Sequence, residues 1–119
     1  MKVSLASFRD ADREEFDWGT IHWLVSGKLG SSDSMTFGKV IIKVGQANPH
    51  HGHSNCDEIL HLLSGRLEHS AGDEVLRMEP GDTMSIPKGV VHNAKAVGDE
   101  DAVMVIAFSS AHRETIGES

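Results

Sequence analysis

Residues 45–65 read GQANPHHGHSNCDEILHLLSG, and a shorter companion at residues 81–92 reads GDTMSIPKGVVH. The first runs from Gly45 through His51-Gly52-His53 and Glu58 to Gly65; the second runs from Gly81 through Pro87-Lys88-Gly89 to His92. Together they offer three imidazoles and one carboxylate, a ligand set suited to a divalent first-row metal. Each half is bounded by glycine or proline, residues that turn a chain between strands. A single His-x-His pair on a β protein is more often a surface pair than a ligand pair. Two such halves in one chain favour the metal.

Outward from these stretches, short apolar runs alternate with turn residues at the spacing of an all-β sandwich or barrel. Strands are expected at 21–25, 35–44, 58–63, 67–70, 74–78, 83–86, 91–96 and 102–108. In the second of these, Gly38, Val40, Ile42 and Val44 alternate with Phe37, Lys39, Ile41 and Lys43, which puts the even positions in the core. Residues 1–19 are charged and irregular and read as an N-terminal arm, with a short helix over 10–16 as the other option. Residues 20–110 form one β domain and 111–119 a C-terminal tail. About eight strands without a convincing helix predict a closed or double-sheet fold such as a jelly roll.

Strand parity sorts the candidate ligands. His51 and His53 are two apart, so in extended chain they leave on one face. Glu58 shares its face with Leu60 and Leu62, whereas His61 falls on the opposite one and is set aside. His92 shares its face with Ala94 and Ala96, small residues that leave room for an ion, while Lys95 points the other way.

At 119 residues the chain has material for one core. Its 39% apolar and 24% charged content is that of ordinary globular proteins. A net charge of -7 argues against nucleic acid as a partner, because phosphate binding needs surplus Lys and Arg. No apolar run approaches the roughly 20 residues that cross a bilayer. The start of the chain is interrupted too soon by Arg9 and Asp10 for a secretory signal. The one cysteine, Cys56, cannot form an internal disulfide, so a cytoplasmic location is expected.

The two stretches resemble the paired motifs of the cupin superfamily, and the 15 positions between them, 66–80, resemble the short spacing of small single-domain microbial cupins. The resemblance implies an all-β, cupin-type double-stranded β-helix, or jelly-roll barrel. It also implies one divalent transition metal (Fe, Mn, Ni, Co or Zn) held by His51, His53, Glu58 and His92. Glu58 is the candidate catalytic residue, because a ligating carboxylate that swings off the metal serves as a base in some members; charge neutralisation is its other role. The second motif usually closes with Asn four residues after its His; here Ala96 stands there and Asn93 follows the His directly. The lack of Tyr disfavours the sugar epimerases and lyases that use a phenol, and the intact Glu58 disfavours the thiol dioxygenases.

Three functions are compatible with this. A dioxygenase-like enzyme acting on a small enol, diketone or phenol is placed first. A non-redox isomerase, decarboxylase or lyase acting on a sugar or organic acid is second, and a non-catalytic small-molecule-binding module is third. The partners expected are a small-molecule substrate and a second copy of the chain in a homodimer. Phe16, Trp18 and Trp23 either cover the core or form the dimer contact, with the N-terminal strand joining the neighbouring sheet. His22 reads as a strand-packing or interface histidine, Cys56 as a small buried thiol and His50 as a loop histidine. Arg66 and His69 either reach a carboxylate on the substrate or sit on the solvated face, and the solvated face is the expectation.

Overall fold

The computed structural model describes residues 3–117. A single 3-10 turn, Phe8–Asp10, precedes eleven strands: β1 Asp12–Phe16, β2 Gly19–Val25, β3 Thr36–Ile42, β4 His51–Gly52, β5 Glu58–Ser64, β6 Arg66–Ala71, β7 Glu74–Met78, β8 Thr83–Ile86, β9 His92–Val97, β10 Ala102–Phe108 and β11 Ile116–Gly117. They pair antiparallel in two sheets, one ordered β1-β2-β3-β10-β5-β8 and the other β11-β4-β9-β6-β7. This nearly all-β, two-sheet arrangement is the jelly-roll barrel that the sequence predicts.

Strict alternation builds the inner faces. Thr36, Gly38, Val40 and Ile42 of β3 are buried, as are Ala102, Met104, Ile106 and Phe108 of β10. Glu58, Leu60 and Leu62 of β5 and His92, Ala94 and Ala96 of β9 complete the pattern. Apolar side chains dominate the closed end, so burial there carries the hydrophobic stabilisation. The polar members, Glu58 and His92, stand at the first residues of β5 and β9, and that position collects them at one end of the barrel.

Two glycines fix close approaches. Gly38 lies beneath the Trp23 indole, where a Cβ would come within 2.8 Å of Cε3, so its missing side chain is the space the ring fills. Gly65 ends the first motif at φ +78°. A Cβ there would collide with the Asp101 carbonyl, so both the turn and the contact demand glycine.

The flanks depart from expectation. The helix considered over 10–16 is instead the strand β1, which pairs with β2 of the same chain from Asp12↔Trp23 to Phe16↔Gly19. Its sequence, DREEF, carries no alternation, and its conformation comes from the edge of β2 rather than from local preference. Part of the stretch read as tail likewise folds back, with β11 pairing β4 through Ile116↔Gly52 and Gly117↔His51. Val44, expected in the core, is 43% exposed because β3 ends at Ile42. No helix among the described residues is long and apolar enough to cross a membrane.

Candidate metal centre

His51 and His92 are direct cross-strand partners on β4 and β9. His53 follows two residues on, and Glu58 enters from the other sheet at the head of β5. One ligand atom from each of the four lies within 4.8 Å of all the others. His53, Glu58 and His92 are buried, and His51 is partly exposed at the lip.

The backbone sets the direction of every imidazole. His51 Nδ1 donates to the Pro49 carbonyl at 2.8 Å, His53 Nδ1 to the Glu114 carbonyl at 3.1 Å and His92 Nδ1 to the Val90 carbonyl at 3.0 Å. A carbonyl oxygen only accepts, so each Nδ1 carries a proton, and a neutral His53 then keeps a lone pair on Nε2. Glu58 Oε1 stands 3.1 Å from His92 Nε2 and 3.2 Å from His53 Nε2. The first contact has hydrogen-bonding geometry. The second does not, and His53 Nε2 is a buried nitrogen without a hydrogen-bond partner. A buried, unpartnered lone pair beside a carboxylate and two other imidazoles is what a cation would satisfy. The four residues therefore fit a divalent metal.

The electrostatics agree. Burial alone would push the Glu58 carboxyl up, but the His53 and His92 imidazoles outweigh it and hold the group at about 2. Burial lowers His51, whereas at His92 the Glu58 carboxylate overcomes burial and raises it. Glu58 is thus an anion at neutral pH.

The four side chains form part of the lining of a cavity of about 320 Å³. Its walls are mostly apolar and include Phe16, Trp18, Trp23, Val40, Leu60, Met104 and Phe108. Phe16 and Trp18 stack at 4.8 Å between ring centroids, and the Phe108 ring meets His53 edge-on at 4.9 Å. Glu14, Arg113 and Thr115 also line the cavity, and these come from the flanks rather than from the motifs. Glu14 Oε1 accepts the Trp23 indole N–H at 2.7 Å.

His69 requires a correction. It is not on the solvated face; it is 1% exposed, lines the cavity and stacks on His92 at 5.5 Å between centroids. It shares the parity of Leu67, and that was the available signal. Burial, reinforced by His92, lowers it to about 4, so it is neutral at physiological pH. Arg66 does face solvent and pairs with Glu79 at 3.0 Å. His61, on the outer face, bonds Thr83 Oγ1 at 2.7 Å. Cys56 is a buried free thiol, pushed up by burial. His22 packs outward under Phe8, with ring centroids 4.4 Å apart. Asn93 donates to the Asn48 carbonyl at 3.2 Å, so it pins a loop, and Ala96 is part of the core.

Two sheets closing over three histidines and one glutamate define a small β-barrel with a metal-type site. The family profile for the cupin domain matches residues 38–108, and the chain belongs to the cupin family. Among its relatives, a germin-like protein (subfamily 3 member 2) of Arabidopsis thaliana is 35% identical over 81 residues, covering 64% of this chain and 36% of the relative. The polyketide synthase CurC of Streptomyces cyaneus is 28% identical over 109 residues, covering 92% of this chain and 71% of the relative. The chain spans about a third of the length of the germin-like relatives it matches. Among solved structures, the oxalate decarboxylase of Lactobacillus farciminis in its formate complex superposes with a TM-score of 0.84 at 19% identity. That match covers 92% of this chain and 34% of the decarboxylase. A Bacillus subtilis oxalate decarboxylase described as having Mn(II) centres gives the same TM-score and identity, over 92% of this chain and 30% of its own. At that identity the likeness concerns the fold.

Proposed function

We propose that this protein is a metal-dependent enzyme whose substrate is a small, oxygen-rich molecule with an apolar body, and that its chemistry is dioxygenase-like. The observation that carries this is the convergence of the three imidazoles and Glu58. Each imidazole spends Nδ1 on a backbone carbonyl, His53 and His92 present Nε2 to Glu58, and all four residues bring a ligand atom within 4.8 Å of one another inside a cavity walled by aromatic rings. In this reading His51, His53, Glu58 and His92 hold one divalent ion of Fe, Mn, Ni, Co or Zn. When bound, that ion supplies Lewis acidity and open positions for substrate oxygens or dioxygen.

The chain's own residues do the rest. Glu58 would balance the charge of the ion, and its carboxylate would be the acceptor for a proton from an enol or phenol. Phe16, Trp18, Trp23 and Phe108 pack the substrate body and exclude water. The match to a polyketide synthase protein over most of the chain supports a substrate built from carbonyl and enol groups.

A second reading, non-redox proton transfer, is favoured by His69, a neutral imidazole lining the cavity outside the four-residue group. Residues 20–110 form the domain unit of this proposal, with 1–19 and 111–119 as flanks that complete its site. A cytoplasmic homodimer is its setting. The unpaired edge of β1 supports a second copy, and size-exclusion chromatography with light scattering tests it.

The deciding experiment is elemental analysis of tag-free protein together with oxygen uptake against enols, diketones and catechols. Iron with uptake is the expected result. Zinc, manganese or nickel with turnover but no uptake selects the second reading. A metal-replete protein inert to every compound leaves a binding module.

A further inference from the structure

The C-terminal segment places a cation in the cavity, and the first motif holds it there. Asn55, inside the loop between His53 and Glu58, grips the backbone on both sides of Arg113. Its Nδ2 donates to the His112 carbonyl at 2.8 Å, and its Oδ1 accepts the Glu114 N–H at 2.8 Å. The guanidinium then lies over the Trp23 ring at 4.2 Å and over the Phe108 ring at 5.4 Å. Phe108 is also the ring that meets His53, so the guanidinium stands one ring away from the candidate metal centre. Nη1 donates to Thr115 Oγ1 at 2.6 Å, which fixes the orientation of the fork.

Arg113 is the cation among the described residues lining this cavity, and no described carboxylate comes within ion-pair distance of it. Glu14 and Glu58, the acidic residues of the wall, act on it through space only, and Glu14 spends Oε1 on Trp23. A guanidinium stacked on aromatic faces, oriented by a hydroxyl and lacking a carboxylate partner presents its planar donors to a planar anion.

We propose that Arg113 is the specificity-determining residue of this cavity, recognising a carboxylate on a substrate whose other oxygens bind at the four-residue group. The substrate class is then a carboxylated enol, diketone or phenol, with its apolar body against the Phe16 and Trp18 wall of the cavity. Asn55 is a positioning residue that ties this recognition to the ligand loop. The inference rests on the function proposed above and narrows it.

Catechol and 3,4-dihydroxybenzoate chelate a metal through the same two oxygens and differ by one carboxylate. Isothermal titration of the metal-loaded protein should find 3,4-dihydroxybenzoate about tenfold tighter, the size of a single charge-assisted pair in a half-buried site. In Arg113→Met, which keeps the apolar stem over Trp23, the ratio should fall to about one with catechol affinity and metal content unchanged. Arg113→Lys, which keeps charge without the fork, should fall between. Equal affinities in the parent protein, or a preference that survives in Arg113→Met, would overturn the proposal while leaving the metal reading intact. Should the protein hold no divalent metal, the metal reading fails on that result alone, and benzoate titration followed by tryptophan fluorescence still decides the anion site. Quenching lost in Arg113→Met supports it, and no difference between the two proteins overturns it.

Discussion

The ligand-bearing strands and the chain's two flanks contribute to the same cavity on different terms. His51, Glu58 and His92 are fixed by the side of the strand they leave from, and each histidine is also fixed by a backbone carbonyl, two residues back for His51 and His92 and in the C-terminal segment for His53. Before β2 and after β10, the side chains that reach the cavity do so from β1, whose conformation depends on its partner, and from a segment clamped by Asn55. The difference teaches that the candidate ligands come from the strands and the cation from a flank, and that the two are joined where the Glu114 carbonyl holds His53 and Asn55 holds the backbone around Arg113.

That arrangement can be broken most severely at His53. His53→Ala removes the imidazole whose buried Nε2 lacks a hydrogen-bond partner, and it should lower metal affinity by more than about a hundredfold. The circular dichroism of the β fold should be unchanged, since the ring lies beyond the end of β4. Metal retained at parental stoichiometry in dialysed protein would refute the ligand assignment.

Next in size is a paired truncation that sets barrel against flank. Leu62, with no exposed surface, should cost about 2–5 kcal/mol as Leu62→Ala in urea unfolding, because a cavity remains in a closed core. Phe16, 38% exposed and stacked on Trp18, should cost under about 1.5 kcal/mol as Phe16→Ala, yet weaken binding of 3,4-dihydroxybenzoate. If the two variants unfold at equal denaturant, the flank is as structural as the core.

Comparable in size to the truncations is a pH dependence of the metal-free protein. Burial holds folded His69 near 4, below its ordinary 6.5, so the native state resists the proton that the unfolded chain accepts. Its contribution is therefore complete above pH 6.5 and is lost as pH falls toward 4. His51, lowered for the same reason, acts in the same direction. His92 is raised and acts oppositely, stabilising below 6.5 and losing that contribution as pH rises through its folded value. Glu58 adds a further loss between 4.5 and about 2. His69→Leu should flatten the fall in unfolding free energy between pH 6.5 and 4 by on the order of 2 kcal/mol. An unchanged slope would place the titration elsewhere.

Much of this was legible beforehand because a strand's period of two is local. The parity of Glu58 with Leu60 and Leu62, and of His92 with Ala94 and Ala96, needed only neighbours in the chain. The strands Glu74–Met78, Thr83–Ile86 and Ala102–Phe108 could be bounded from their turn residues alone. His69 was within reach of the same argument through Leu67, but β6 is short and mostly polar, which hid the alternation. β4 and β11, two residues each, are too short to have a period at all.

By itself, then, the sequence determined an all-β class of fold, since alternation and turn spacing act between residues close in the chain, and its resemblance to the cupin motifs nominated the four candidate ligands. Only the tertiary structure decided that DREEF is a strand, that Arg113 enters the cavity and that the four candidate ligands converge, with His53 turned by a distant carbonyl. β1 pairs with its hairpin neighbour β2, but DREEF has no period that announces it. The other outcomes rest on partners far away in sequence: Asn55 for the backbone around Arg113, and the Glu114 carbonyl for His53. Such contacts exist only once the sheets have closed, and no local preference encodes them.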